Sequence, residues 1–179
     1  MIYKLTTPLT DEKVMKLKAG DEVLLSGVIY TARDAAHKRL LELIEKDIPL
    51  PFDPTGQIVY YVGPSPSKPG EVIGSAGPTT SYRMDDMTEP LFEKGLRGTI
   101  GKGKRAASVA TLMKAYRGVY FVAIGGIGAL MSQSITKSEI VAFEELGTEA
   151  IRRLEVVDMP LYVGIDSMGN DIYCEEVGI

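Results

Sequence analysis

The run "VYFVAIG", residues 119–125, constrains the fold more than any other stretch of the chain. It carries no charged or amide side chain and shows no alternation of polar with apolar. A strand with one face in water alternates, so a continuous apolar run reads as a strand buried on both faces. Such a strand needs packing layers on each side. The neighbouring "KRAASVATLMKAYRG" is an amphipathic helix that can supply one. Another is "DAAHKRLLELIEK", residues 34–46, where Ala36, Leu40, Leu43 and Ile44 recur at helical spacing and Asp34 stands as the N-cap candidate.

The remaining segments follow the same grammar. "EVLLSGVIY", residues 22–30, predicts a strand interrupted at Gly27, and "QIVYYVGP" predicts a second buried strand. "DIPLPFDPTG" and "SPSKPGEVIGS" are loops on their proline and glycine content. "DDMTEPLFEKG" predicts a short helix with acidic residues near its start and Gly95 near its end. "LRGTIG" is strand-like, "GGIGALMSQSI" predicts a glycine turn leading into a helix, and "IVAFEEL" predicts a strand. "RRLEVVDMPLYVGIDSMGNDIY" predicts two strands and an "MGN" turn. Strands dominate both ends and alternate with helices between them. The expectation is an α/β domain, a mixed sheet with helices packed around it. At 179 residues, 1–179 reads as one domain.

Composition narrows the chemistry. The chain has one cysteine, Cys174, and one histidine, His37. It can form no internal disulfide, cannot ligate an iron–sulfur cluster through its own thiolates, and cannot build an ordinary zinc site. A Ser-His-Asp triad would have to use His37, which sits in a helical pattern and reads as a packing or surface residue. Cys174 reads as a buried thiol. A net charge of −4 argues against nucleic acid as the main partner. The longest apolar run, "VYFVAIGGIGALM", is too short and glycine-rich for a membrane span, and "MIYKLTTPLTDEK" lacks a signal-peptide pattern. A cytoplasmic protein is expected.

Three places could hold an anion. Arg33 lies between a strand and a helix, at the edge where α/β folds place ligands. It can grip a carboxylate with two parallel hydrogen bonds, or pair with Asp34 or a helix-face carboxylate instead. In "GSAGPTTSYRMDD", residues 74–86, Thr79, Thr80 and Ser81 offer hydroxyls before a helix start, and Arg83 adds a second fork. The same loop reads equally as a helix cap with Arg83 turned to water. "GTIGKGKRAAS", residues 98–108, misses the spacing of a phosphate-binding loop but places Lys102 on a glycine turn, either as an anion contact or as a solvated basic turn. "GGIGAL" lacks the full dinucleotide-binding register.

Taken in order, "SGVIYTARDAAHKRL", "YYVGP", "GSAGPTTSYRMDD", "GKGKR" and "AIGGIGALMS" resemble the β subunit of class I (iron–sulfur) fumarate hydratases and L-tartrate dehydratases, which is also the C-terminal domain of single-chain members. The resemblance spans nearly the whole chain. It implies a swivelling three-layer β/β/α domain and a hydro-lyase active only with an α subunit, in an α2β2 assembly. It also implies a [4Fe-4S] cluster held by three cysteines of that partner. Carried onto this sequence, it makes Arg33, Arg83 and Lys102 ligands of a C4 dicarboxylate. Thr79 would contact the reacting carbon region and share proton transfer with an aspartate of the partner. Tyr82 departs from the family pattern, where a small residue is common, and bears on which substrate fits.

Overall fold

Neighbouring residues of the central strands are buried in opposite directions. Val119 and Phe121 join one hydrophobic cluster, while Tyr120 between them joins another. Ile58 and Tyr60 face the first cluster, and Val59 and Tyr61 the second. Period-2 geometry turns a continuous apolar run into a strand that serves two cores at once. Each large aliphatic side chain fully buried this way contributes about 1.5–3 kcal/mol.

The computed structural model describes residues 1–123 and 128–174. Its strands are β1 (Ile2–Thr6), β2 (Glu22–Thr31), β3 (Ile58–Tyr60), β4 (Gly98–Gly101), β5 (Val119–Val122), β6 (Ile135–Ala142) and β7 (Ile151–Ile165). They form one sheet in the order β1-β2-β3-β4-β5-β7-β6. β1 to β5 run parallel, with Tyr30 opposite Val59, Ile58 opposite Gly98, and Gly98 opposite Val119. β7 runs antiparallel to β5, β6 and β2. Because β7 pairs with β2 as well as β5, the strands β2-β3-β4-β5-β7 close into a ring. Leu25, Ile29, Ile100, Leu154 and Val163 belong to the cluster shared by this ring's strands. Val14, from the short helix α1 (Asp11–Met15), joins them.

Outside the ring lie α2 (Asp34–Glu45), α3 (Glu89–Glu93) and α4 (Ala107–Tyr116). They cover the second cluster with Ala36 and Leu40, Leu91 and Phe92, and Val109 and Met113 respectively. A final short helix, α5 (Gly128–Gln133), precedes β6. The mixed sheet with surrounding helices agrees with the α/β reading of the sequence.

Several local expectations change. Arg33, in extended conformation, is the N-cap of α2, and Asp34 is the first helical residue, with no side-chain cap bond. The expected helix at 85–95 divides into a 3₁₀ segment, Ser81–Met87, and α3, with Pro90 in the first turn of the latter. The strand expected at "IVAFEEL" begins earlier, at Ile135, and stops at Ala142, because β6 takes its register from β7. Phe143 then turns into the left-handed region and "EELGTE" is 3₁₀. β7 is one strand of 15 residues that passes through Pro160. The "MGN" turn is followed only by a bridge between Ile165 and Asp171. The glycine turn at 124–127, and with it part of "GGIGAL", lies outside the described residues. Among the described residues no helix is long and apolar enough to cross a membrane.

Candidate functional site

The parallel strands β2 to β5 deliver their C-terminal ends to one edge of the sheet, where open α/β sheets bind ligands. Arg33 follows β2, Gly63 follows β3, and Lys102 follows β4. Beyond Tyr61 the strands β3 and β4 part, and Thr79–Ser81 enters between them. Thr79 N–H donates to Tyr61 O at 2.7 Å and Ser81 N–H donates to Lys102 O at 3.0 Å. Thr80 pairs with Lys102 as a parallel bridge. The hydroxyl segment is therefore a short extra strand, held on both sides by main-chain bonds. Gly101 is needed for that insertion, since a Cβ there would stand 1.8 Å from Ser81 Oγ.

Ser81 is fixed in turn. Its hydroxyl lies 2.9 Å from Tyr120 Oη, which lies 2.9 Å from Gly103 O. A carbonyl only accepts, so Tyr120 donates to Gly103 and receives the Ser81 proton. Burial pushes the Tyr120 phenol well above its ordinary range, keeping this chain of donors neutral.

Arg33 and Arg83 converge on one carboxylate. Arg83 Nε donates to Asp34 Oδ1 at 2.9 Å and Arg83 Nη2 to Asp34 Oδ2 at 3.4 Å. Arg33 Nε lies 3.5 Å from Asp34 Oδ2 and 3.5 Å from Glu149 Oε1. Glu149 Oε1 also accepts from Ala35 N–H at the start of α2. Glu149, Arg33, Asp34 and Arg83 thus alternate in sign. Burial pushes the Asp34 carboxyl up, but the Arg83 hydrogen bond, a backbone hydrogen bond and the charges of Arg83 and Arg33 together outweigh it and hold the carboxyl below its usual range. Arg33 passes over Gly63, where a Cβ would stand 3.0 Å from Arg33 Cδ.

Beneath this edge lies a buried charge pair. Arg105, 2% exposed, donates from Nε to Asp85 Oδ1 at 2.7 Å. Its other nitrogens reach Thr99 Oγ1 and Thr88 Oγ1, each at 3.0 Å. The guanidinium carbon lies 5.2 Å from the Tyr61 ring centroid and 5.0 Å from that of Tyr120. Asp85 Oδ2 accepts from Ala106 N–H at the start of α4. Arg105 therefore joins β4, α4 and the 3₁₀ segment that carries Arg83.

His37 packs where the sequence allowed, fully buried and edge-on to Tyr61, with ring centroids 5.3 Å apart. Its Nδ1 donates to Arg33 O at 2.8 Å, which fixes the tautomer. Burial lowers its pKa to about 4, so it is neutral at ordinary pH. Cys174 is exposed, contrary to the expected buried thiol, because the chain leaves the sheet after Asp171.

The structure thus brings Arg33 to Arg83 through Asp34, and the Thr79–Ser81 segment to Lys102 through the backbone. The loop makes no side-chain cap: Thr80 precedes the 3₁₀ segment without a cap bond, and Arg83, still exposed, turns back to pair with Asp34 of α2. Sequence reasoning missed Arg105 and Asp85. In "GKGKR" nothing separates a buried arginine from the solvated lysines beside it.

A cysteine-ligated cluster does not fit this donor set. The chain has one cysteine, and among the described residues no three His, Cys, Asp or Glu side chains group to hold a metal.

The chain has relatives among known proteins. The chain is 42% identical over 175 residues to the putative L(+)-tartrate dehydratase subunit beta of Methanocaldococcus jannaschii, covering 94% of this chain and 89% of that protein. It is 36% identical over 165 residues to fumarate hydratase 2 of Leishmania major, covering 90% of this chain but 29% of that protein. It is 37% identical over 177 residues to the putative fumarate hydratase class I of Geobacillus stearothermophilus, covering 96% of this chain and 34% of that protein. The chain therefore spans most of the subunit-length relative and only a part of the longer hydratases. The family model described as "Fumarase C-terminus" matches residues 2–176, and this chain belongs to that family.

Proposed function

We propose that this chain is the β subunit of a hydro-lyase that interconverts fumarate and (S)-malate, and that it supplies the dicarboxylate-binding wall of a site shared with an α subunit. The observation that carries the reading is the convergence of Arg33 and Arg83 on a single carboxylate at the C-terminal strand edge. Two guanidinium groups held that close suit an anion with more than one carboxylate. On this reading Arg33 and Arg83 hold the substrate's carboxylates, and Lys102 compensates the charge that develops during reaction. Thr79 stands at the reacting carbon. Its hydroxyl is a weak base unaided, so proton transfer there requires activation by the neighbouring cations or by a carboxylate of the partner.

The [4Fe-4S] cluster that the resemblance implies is assigned to the α subunit, since this chain has one thiol to offer. The assembly proposed is α2β2, in the cytoplasm. Residues 1–179 are proposed to act as one swivelling domain of three layers, β/β/α. Tartrate dehydration is the second reading, favoured by the name of the relative that this chain matches along 89% of its length. On this reading the ring of Tyr82, exposed and next to Arg83 in the chain, bears on which of the two substrates fits.

Co-expression with a partner chain bearing three separated cysteines tests the proposal. The complex should show iron–sulfur absorbance and should hydrate fumarate or dehydrate tartrate, and the isolated chain should be colourless and inactive. Two species that sediment independently, or an active cluster reconstituted on this chain alone, would refute it.

A further inference from the structure

We infer that Asp34 is a positioning residue that sets the separation of the two arginine forks, and through it the preference of the site for a dicarboxylate over a monocarboxylate. This rests on the dicarboxylate reading above.

Asp34 meets both arginines along the same kind of edge. Its bonds to Arg83 use Nε and Nη2, the side-on edge of the guanidinium, and its contact with Arg33 is at Nε. A guanidinium held side-on still presents the end-on pair of nitrogens to a second carboxylate. Asp34 therefore orients both forks and leaves each an edge for ligand.

The anchor of this carboxylate is stiffer than either arginine. Asp34 opens α2, whose first turn is fixed by His37 N–H to Arg33 O at 2.9 Å and by the buried Ala36 and Leu40. Its side chain has two rotatable bonds, whereas each arginine has four. Glu149 holds Arg33 from the other side and bonds the same helix start through Ala35. The spacing between forks is thereby referred to α2 and not to the 3₁₀ segment that carries Arg83.

A different role would give the opposite sign. Were Asp34 an internal competitor for the arginines, its removal would tighten binding of every carboxylate. A spacer predicts selective loss: a ligand that needs both forks suffers, and a ligand that needs one does not.

The test measures binding to the assembled complex by calorimetry, using succinate and butyrate, unreactive C4 acids with two carboxylates and one. For Asp34→Ala the ratio of butyrate Kd to succinate Kd should fall at least tenfold, with butyrate Kd changed less than threefold. Asp34→Asn keeps the volume and one acceptor, so it should shift the ratio less and in the same direction. It decides the matter should the alanine variant fail to assemble. An unchanged ratio, or tighter succinate binding, overturns the inference. Arg83→Lys is measured alongside. If it weakens succinate while the Asp34 variants do not, the spacer role alone is lost; if it leaves succinate untouched, the dicarboxylate site itself is refuted.

Discussion

Arg105 Nε lies 2.7 Å from Asp85 Oδ1, and the Arg105 side chain is wholly removed from solvent between two tyrosine rings. A desolvated guanidinium is tolerable only with its counter-ion and its remaining donors satisfied. Here Asp85 supplies the charge, and Thr88 and Thr99 supply acceptors.

Removing one partner should therefore cost more than removing both. Asp85→Ala leaves a buried charge unpaired and should destabilise the protein by about 3–5 kcal/mol in urea denaturation. Arg105→Met with Asp85→Leu should lose less than the single variant. A single-variant loss below about 1 kcal/mol would show that the pair does not hold the loop, by the same scale.

The approach of Gly101 to Ser81 gives a second test. Gly101→Ala places a Cβ 1.8 Å from Ser81 Oγ and 3.0 Å from Tyr61 Cδ2, so the Thr79–Ser81 segment must move. The expected cost is about 1–3 kcal/mol in thermal or urea unfolding. Ser81→Ala removes the nearest atom and should recover part of that loss in the double variant. No recovery would locate the strain elsewhere.

His37 predicts a pH dependence with a definite sign. Its folded pKa, about 4, lies below the ordinary histidine value of 6.5, so the unfolded chain binds the extra proton first. The contribution to stability is full above about pH 6.5 and is lost as pH falls toward about 4, amounting to about 3 kcal/mol. His37→Asn keeps a donor near the Nδ1 position and does not titrate. Denaturation between pH 4 and 7 should show a slope in the parent that the variant lacks. Equal slopes would refute the assignment.

Arg83→Lys keeps the charge and loses the fork. In the active complex it should lower kcat/KM tenfold to a hundredfold, about 1.5–3 kcal/mol, without loss of assembly. Arg33→Lys should behave alike. Arg117 pairs with Asp11 of α1, 2.6 Å away, and Arg117→Lys should be nearly silent. Thr79→Ala should lower kcat more than it raises KM. Equal, small effects at Arg33, Arg83 and Arg117 would move the pocket elsewhere.

Sequence by itself determined the elements that rest on local periodicity. The doubly buried β5, the amphipathic α2 and α4, and the mixed α/β character all follow from spacing of apolar residues, because a side chain's direction repeats every 2 or 3.6 residues. The ordered motifs also pointed to the family and to Arg33, Thr79, Arg83 and Lys102 as residues to watch. Only tertiary structure decided how those residues meet. Arg33 and Arg83 are brought together by Asp34, a residue that read locally as a helix cap. β7 continues through Pro160, with a bulge at Val157 and Asp158 just before it, because long-range pairing with β2, where Leu24 stands opposite the proline, outweighs the local penalty. Arg105 became a core residue only when Asp85, twenty positions away, arrived to neutralise it. Local pattern reports which face of an element is apolar, but it carries no information on which distant charge a closed ring of strands will bring beside it.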